Sequence, residues 1–225
     1  MIFAAAILIA YFLGSIPTAA IVGRILGVDV RRDGSCNPGA GNLTRLSGKR
    51  GWGAFVLLMD ASKGFIPARF GAIVTAQYGG SSLGFDEMTI RVILGSAAIL
   101  GHVFSVFLAF QGGKGVATSL GVVLALAPII GLICFIIWAI LAELTRRISI
   151  SSLAAGLVFP LILLFRADTS AFVRWFSWIL PIFLLLTHRR NLIRLIHGEE
   201  PAIPQERLVR HLLVSKKKSE SCNRA

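Results

Sequence analysis

The chain has 225 residues, 55% of them hydrophobic and only 15% charged, with a mean hydropathy of +0.77, a balance that excludes an ordinary soluble domain. Its formal charge of +12 does not mark a nucleic-acid binder, because the lysines and arginines fall in short clusters between apolar runs, as they do in polytopic membrane proteins. Three cysteines, Cys36, Cys134 and Cys222, form no CxxC pair, so neither a disulfide framework nor a zinc site is indicated.

A helical span needs roughly 20 apolar residues. In chain order the candidates are residues 2–23, 52–76, 90–110, 149–166 and 171–187, with a longer run at 116–142. The first run has no cation before Arg24 and reads as a retained span whose N-terminus lies outside. At 1.5 Å per residue the run at 116–142 would be about 40 Å long, too much for one upright crossing, and Ala127-Pro128 interrupts it. Charge settles how to divide it. The loops at 24–50, 111–115, 146–147 and 188–194 are basic, whereas the loop at 77–89 carries Asp86 and Glu87 and no cation. Splitting the run at Pro128 places every basic cluster on one side. The expectation is an all-α integral membrane protein with seven transmembrane helices, the fourth short, and a cytoplasmic C-terminus, five or six helices being the alternative. Residues 1–200 form the membrane domain, and 201–225, ending VSKKKSESCNRA, form a basic, mobile cytoplasmic tail facing anionic lipid.

Three polar stretches share the basic face. The first, GSCNPGAGNLTR at 34–45, has Pro38, Gly39 and Gly41 to turn the backbone and Ser35, Asn37, Asn42 and Arg45 to supply donors; an anion cradle and a plain solvated turn are both open. The second, FQGGKGVAT at 110–118, places Gly112, Gly113, Lys114 and Gly115 at a helix start, where main-chain amides and an ammonium suit a phosphate. It is not a Walker A loop, since position 108 is Leu. The third, THRRNLIRLIHGEE at 187–200, sets His188 and Asn191 on one helical stripe, with Arg189, Arg190 and Arg194 available to meet lipid or substrate phosphate. Asp60 and Lys63 fall inside a span at a spacing that allows an intrahelical ion pair. His102, at the end of another span, either faces the same pocket or holds a backbone partner. No His is followed five residues later by Asp, as the HxxxxD acyltransferases require: positions 107, 193, 202 and 216 are Phe, Ile, Ala and Lys.

GSIP at 14–17, GSCNPGAGNLTR, GHVFSVFLAFQGGKGVAT and HRRNLIRLIHGEE, in this order and spacing, resemble the acyl-phosphate-dependent glycerol-3-phosphate acyltransferases of the bacterial membrane, the PlsY family. The likeness covers about residues 1–200. It implies transfer of a fatty acyl group from acyl phosphate to the 1-hydroxyl of sn-glycerol 3-phosphate, giving lysophosphatidate and phosphate, in the bacterial inner membrane with the site facing the cytoplasm. It implies no cofactor or metal. Partners are the two substrates and membrane lipid, not nucleic acid. The family's functional residues fall on Ser35, Arg45, Lys114, His188 and Asn191, with Asn37, Gly39, Asn42, Gly112, Gly113, Gly115 and Arg190 completing the substrate contacts. The chain departs from the family pattern at Cys36 and Gly41, where glycine and threonine are usual, and at Ser105 and Gln111. A transporter of a phosphorylated solute is the rival, and it would place polar groups at mid-membrane on broken helices.

Overall fold

The computed structural model describes residues 1–80, 84–167 and 169–203, and among these no strand forms. The first apolar run makes α1 (Ile2–Ser15) and α2 (Thr18–Ile25), broken where Pro17 removes an amide donor. A short helix follows, α3 (Ala40–Ser47), then α4 (Arg50–Ile66), which continues through a π-helical turn at Pro67–Gly71 into α5 (Ala72–Thr75). Next come α6 (Glu87–Val103), α7 (Val116–Leu126) and α8 (Pro128–Thr145). The last three are α9 (Ile148–Leu163), α10 (Ala171–Thr187) and α11 (Arg189–Ile196).

The division at Pro128 is present as expected: α7 ends at Leu126 and Pro128 opens α8. With 11 residues, α7 is only about 16 Å long, half of a hydrocarbon core. Among the described residues three helices, Ile2–Ile25, Glu87–Leu108 and Pro128–Thr145, are long and apolar enough to cross a membrane, and α10 with α11, bent by 62°, adds a fourth only if the bent pair counts as one span.

Packing is closest where side chains vanish. Helix α1 lies along α6, α4 along α7, and α8 and α10 flank α9. In the α4–α7 contact, a Cβ on Gly121 would fall 1.9 Å from the Ala61 carbonyl oxygen, and one on Gly64 2.1 Å from that of Thr118. Without hydrocarbon-excluding water to drive helices together, such backbone approach is what holds them. The largest buried cluster joins α6 through α10 around Phe159, Phe176 and Val122.

One expectation is corrected. The stretch 34–45 is not a single turning loop, because Ala40–Ser47 is helical and carries Gly41, Asn42 and Arg45. The start of the tail also differs from a free segment. Arg45 donates to the Pro201 carbonyl at 2.9 Å, and the Ile203 amide to that of Arg146 at 2.9 Å. The rest of the tail, 204–225 with Cys222, lies outside the described residues.

Candidate active site

The first motif is shaped by one side chain. Asn42, 1% exposed, donates from Nδ2 to the carbonyls of Val30 (2.9 Å) and Asp33 (3.0 Å) and accepts the Ser35 amide at Oδ1 (2.8 Å). Both its amide hydrogens and its oxygen are engaged by the loop, and Ser35 rather than Asn42 borders the cavity. Gly39 begins α3 and leaves no Cβ against Asn37, whose Nδ2 would sit 2.8 Å from it. Cys36 takes a left-handed φ of 55°, where glycine is favoured, with its thiol 3.3 Å from the Arg32 carbonyl. At Gly41 a Cβ would meet only the tip of Ile148, so that departure from the family reflects a neighbour that fills the space.

The second motif is moulded onto the end of α6. Ala109 and Phe110 are both left-handed, and the amides of Gly112 and Gly113 then donate to the carbonyls of Val103 (2.9 Å) and His102 (3.1 Å). Those two glycine amides are therefore committed to the fold, contrary to the picture of a free amide cradle. The amides available to an anion are those in the first turn of α7, which follows Gly115 at φ 82°. Lys114 stands at that helix start. Its carbonyl accepts from Thr187 Oγ1 at 3.1 Å, and its ammonium donates to Asn191 Oδ1.

The third motif lies on α11, past the bend after α10. His188 is 1% exposed, with Nδ1 2.8 Å from the Leu184 carbonyl. Because a carbonyl only accepts, Nδ1 carries the proton and Nε2 the lone pair. Asn191 bridges outward: its Nδ2 donates to Glu200 Oε1 at 2.6 Å, and Ser149 Oγ donates to the same oxygen at 2.8 Å. Glu200 Oε2 lies 3.6 Å from Arg194 Nε.

Glu200 is thus the buried counter-ion of the site, and sequence reasoning passed over it. An acid within an otherwise basic motif was the available signal. Burial pulls the Lys114 ammonium down to about 8, with Glu200 opposing and Arg194 and Arg45 adding to the fall. Burial likewise lowers the Arg45 guanidinium, and again Glu200 opposes. Burial, reinforced by Lys114, lowers His188 to about 4, so its ring is neutral at physiological pH.

These groups border a cavity of about 1390 Å³. Of the expected residues, Ser35, Asn37, Gly112, Gly113, Lys114, Arg190 and Asn191 line it. Gly39, Asn42, Arg45, Gly115 and His188 stand behind that wall and hold it. Among the described residues seven cations, including Arg24 near the end of α2 and Arg31 and Arg32 in the loop after it, face the space, against one acid, Asp29. Opposite them Phe104, Phe107, Phe183 and Leu186 make an apolar wall. Positive charge beside apolar surface suits more than one anionic group together with a hydrocarbon tail.

Glycerol-3-phosphate acyltransferases are similar to this chain in both sequence and shape. The family model described as glycerol-3-phosphate acyltransferase matches residues 4–198. A glycerol-3-phosphate acyltransferase of Fusobacterium nucleatum is 40% identical over 201 residues, covering 89% of this chain and 97% of that protein. One from Trichlorobacter lovleyi is 42% identical over 191 residues, covering 85% and 92%. The crystal structure of PlsY, an integral membrane glycerol 3-phosphate acyltransferase, in its glycerol 3-phosphate form superposes with a TM-score of 0.79 at 33% identity, covering 92% of this chain and 98% of that one. Its lysophosphatidic acid form gives 0.73 at 34%, covering 89% and 94%.

Proposed function

Because this chain belongs to the glycerol-3-phosphate acyltransferase family, we propose that it moves a fatty acyl group from acyl phosphate to the 1-hydroxyl of glycerol 3-phosphate, releasing lysophosphatidate and inorganic phosphate. The observation that carries this reading is the cavity itself, in which seven cations face an apolar wall. Two phosphate-bearing reactants, one of them with a hydrocarbon chain, need such a surface. The solved relatives with glycerol 3-phosphate and lysophosphatidic acid support the acceptor and product.

Acyl phosphate is a mixed anhydride with a good leaving group, so the 1-hydroxyl oxygen attacks its carbonyl carbon directly and no acyl-enzyme is required. The new ester C–O bond forms as the bond to phosphate breaks. The protein's tasks are to bring two anions together, fix their geometry and stabilise the tetrahedral oxyanion. Lys114 and the first turn of α7 hold the phosphate of glycerol 3-phosphate. Ser35, Asn37 and Arg190 face the acyl phosphate, while Arg45, bonded to the Pro201 carbonyl, adds positive potential from behind. The chain of the donor lies over Phe104, Phe107 and Phe183.

His188 fits the base role poorly. A general base works best with a pKa near the ambient pH, and burial holds this imidazole at about 4. The phosphate of glycerol 3-phosphate, whose second ionisation is near ~6, is better matched, so the hydroxyl proton passes to the substrate's own phosphate. His188 fixes the bend that presents Asn191 to Lys114.

The basic loops support a reading in which this face lies in the cytoplasm of a bacterium, with seven crossings of the inner membrane and the N-terminus outside. The position of the site speaks against a transporter, since the cavity sits at one end of the bundle, at the ends of α2, α6 and α10. Purified chain in detergent, given palmitoyl phosphate and glycerol 3-phosphate, is expected to release phosphate and form lysophosphatidate. Palmitoyl-CoA is expected to give no product. Product from the thioester, or none from acyl phosphate, overturns the assignment.

A further inference from the structure

Three ionisable side chains lie buried in the apolar body, none of them in the cavity wall. Asp60 is 3% exposed, Lys63 8% and His102 8%. Ionisable groups at such depth are costly, and they persist where they are paired and used. Lys63 Nζ donates to Asp60 Oδ1 at 2.5 Å and to the Ile16 carbonyl at 2.5 Å. That carbonyl belongs to the break before Pro17, so the pair ties α4 to the interruption of the first span.

His102 lies between this pair and the glycine turn. Its Nδ1 is 3.9 Å from Asp60 Oδ1. On its other edge, a Cβ built on Gly113 would stand 2.2 Å from Nε2, so the ring packs directly against that glycine. Its carbonyl accepts the Gly113 amide, and a Cβ on Gly112 would fall 2.0 Å from the same oxygen. Nearby, the Gly64 and Gly121 contacts press α4 against α7, the helix that begins just beyond Lys114. The ion pair therefore meets the break in the first span, the end of α6 and the start of α7 at once.

We propose that Asp60, Lys63 and His102 are positioning residues: the buried pair fixes the imidazole, the imidazole fixes Gly112–Gly113, and the turn then presents Lys114 and the α7 amides to a phosphate. This rests on the reading that Lys114 and the helix start hold glycerol 3-phosphate. None of the three side chains touches substrate, and their effect appears in how well one substrate is held.

The experiment uses the full chain in detergent, with KM measured separately for glycerol 3-phosphate and for palmitoyl phosphate. Asp60→Asn combined with Lys63→Met removes both buried charges together, leaving neither unpaired. It is expected to raise KM for glycerol 3-phosphate about tenfold, with kcat within about threefold and KM for the donor unchanged. A role in folding alone would lower the yield of active enzyme and leave both KM values where they were. Gly113→Ala is expected to raise the same KM, because its new methyl meets the ring, and adding His102→Ala is expected to recover part of the loss by vacating that space. Wild-type KM values in folded variants, or no recovery in the double variant, overturn the proposal. Lys114→Ala separates the two claims. If it raises KM for glycerol 3-phosphate and the other variants do not, the positioning role alone falls; if it leaves that KM unchanged, the phosphate reading falls and the positioning role with it.

Discussion

Replacing Glu200 by Gln keeps the shape of the side chain and one acceptor for Asn191 and Ser149, but removes the one negative charge recorded against Lys114, Arg45 and Arg194. At 3.6 Å the Glu200–Arg194 attraction alone is roughly 4–5 kcal/mol at an effective dielectric of ~20. The net cost of stripping a partner from a buried pair is about 3–5 kcal/mol. Part of that loss falls on Lys114, whose ammonium sits at about 8 only because Glu200 offsets some of the burial. Forfeiting ~1.4 kcal/mol of that support moves its titration tenfold toward neutral. The sign follows directly: a charged Lys114 binds the phosphate, so affinity holds below its pKa and falls as pH rises through it. The assay is kcat/KM for glycerol 3-phosphate from pH 6.5 to 9.5 at saturating palmitoyl phosphate, which reports the donor-loaded enzyme before it binds glycerol 3-phosphate. Wild type is expected to decline above about pH 8, the value at which Lys114 titrates. Glu200→Gln is expected to decline from nearer neutrality, and Glu200→Asp, which retains the charge, to stay close to wild type. Superimposable profiles for folded wild type and Glu200→Gln would refute the claim that Glu200 keeps Lys114 charged.

Glycerol 3-phosphorothioate, whose second ionisation is lower than that of the natural acceptor, is expected to shift the acidic limb of kcat to lower pH; a limb that stays put assigns the base to the protein. Cys36→Gly relieves a left-handed φ of 55° that costs an L-residue about 1–2 kcal/mol, partly offset in the unfolded chain. A gain of up to ~1 kcal/mol, or about 2–4 °C in the detergent melting midpoint, is expected, and a lower midpoint would contradict it. Gly121→Ala sets a methyl 1.9 Å from the Ala61 carbonyl oxygen, an overpacking worth about 1–3 kcal/mol; an unchanged melt would show that α4 and α7 have slack between them.

The membrane-facing parts of the fold were legible because bilayer thickness imposes a length on the chain. The run at 116–142 exceeded that length, and Pro128 offered the place to break it. Helix α3 was not legible. Gly39, Gly41 and Asn42 are turn formers by local preference, and the helix stands because Asn42 is tied to Val30 and Asp33 and because Ile148 packs on Gly41. The Asp60–Lys63 pair could be read from spacing along one helix. Its approach to His102 could not, since 42 residues separate His102 from Asp60 and the contact exists only after α4 and α6 have met. Glu200 looked like one of two adjacent acids in a polar stretch, and its burial depends on Ser149, 51 residues earlier. The glycines at 112 and 113 sit in the turn before α7 and border the cavity, but the sequence says nothing of where their amides point.

The late arrival of Glu200 bears on how the protein is made. The cations it neutralises begin at Arg45, so they enter the membrane surface early in synthesis and wait through every remaining helix for the carboxylate that completes the ring. Until residues 200 and 201 have been made, Arg45 and Ser149 lack the partners they hold in the finished fold, the Pro201 carbonyl and the Glu200 carboxylate.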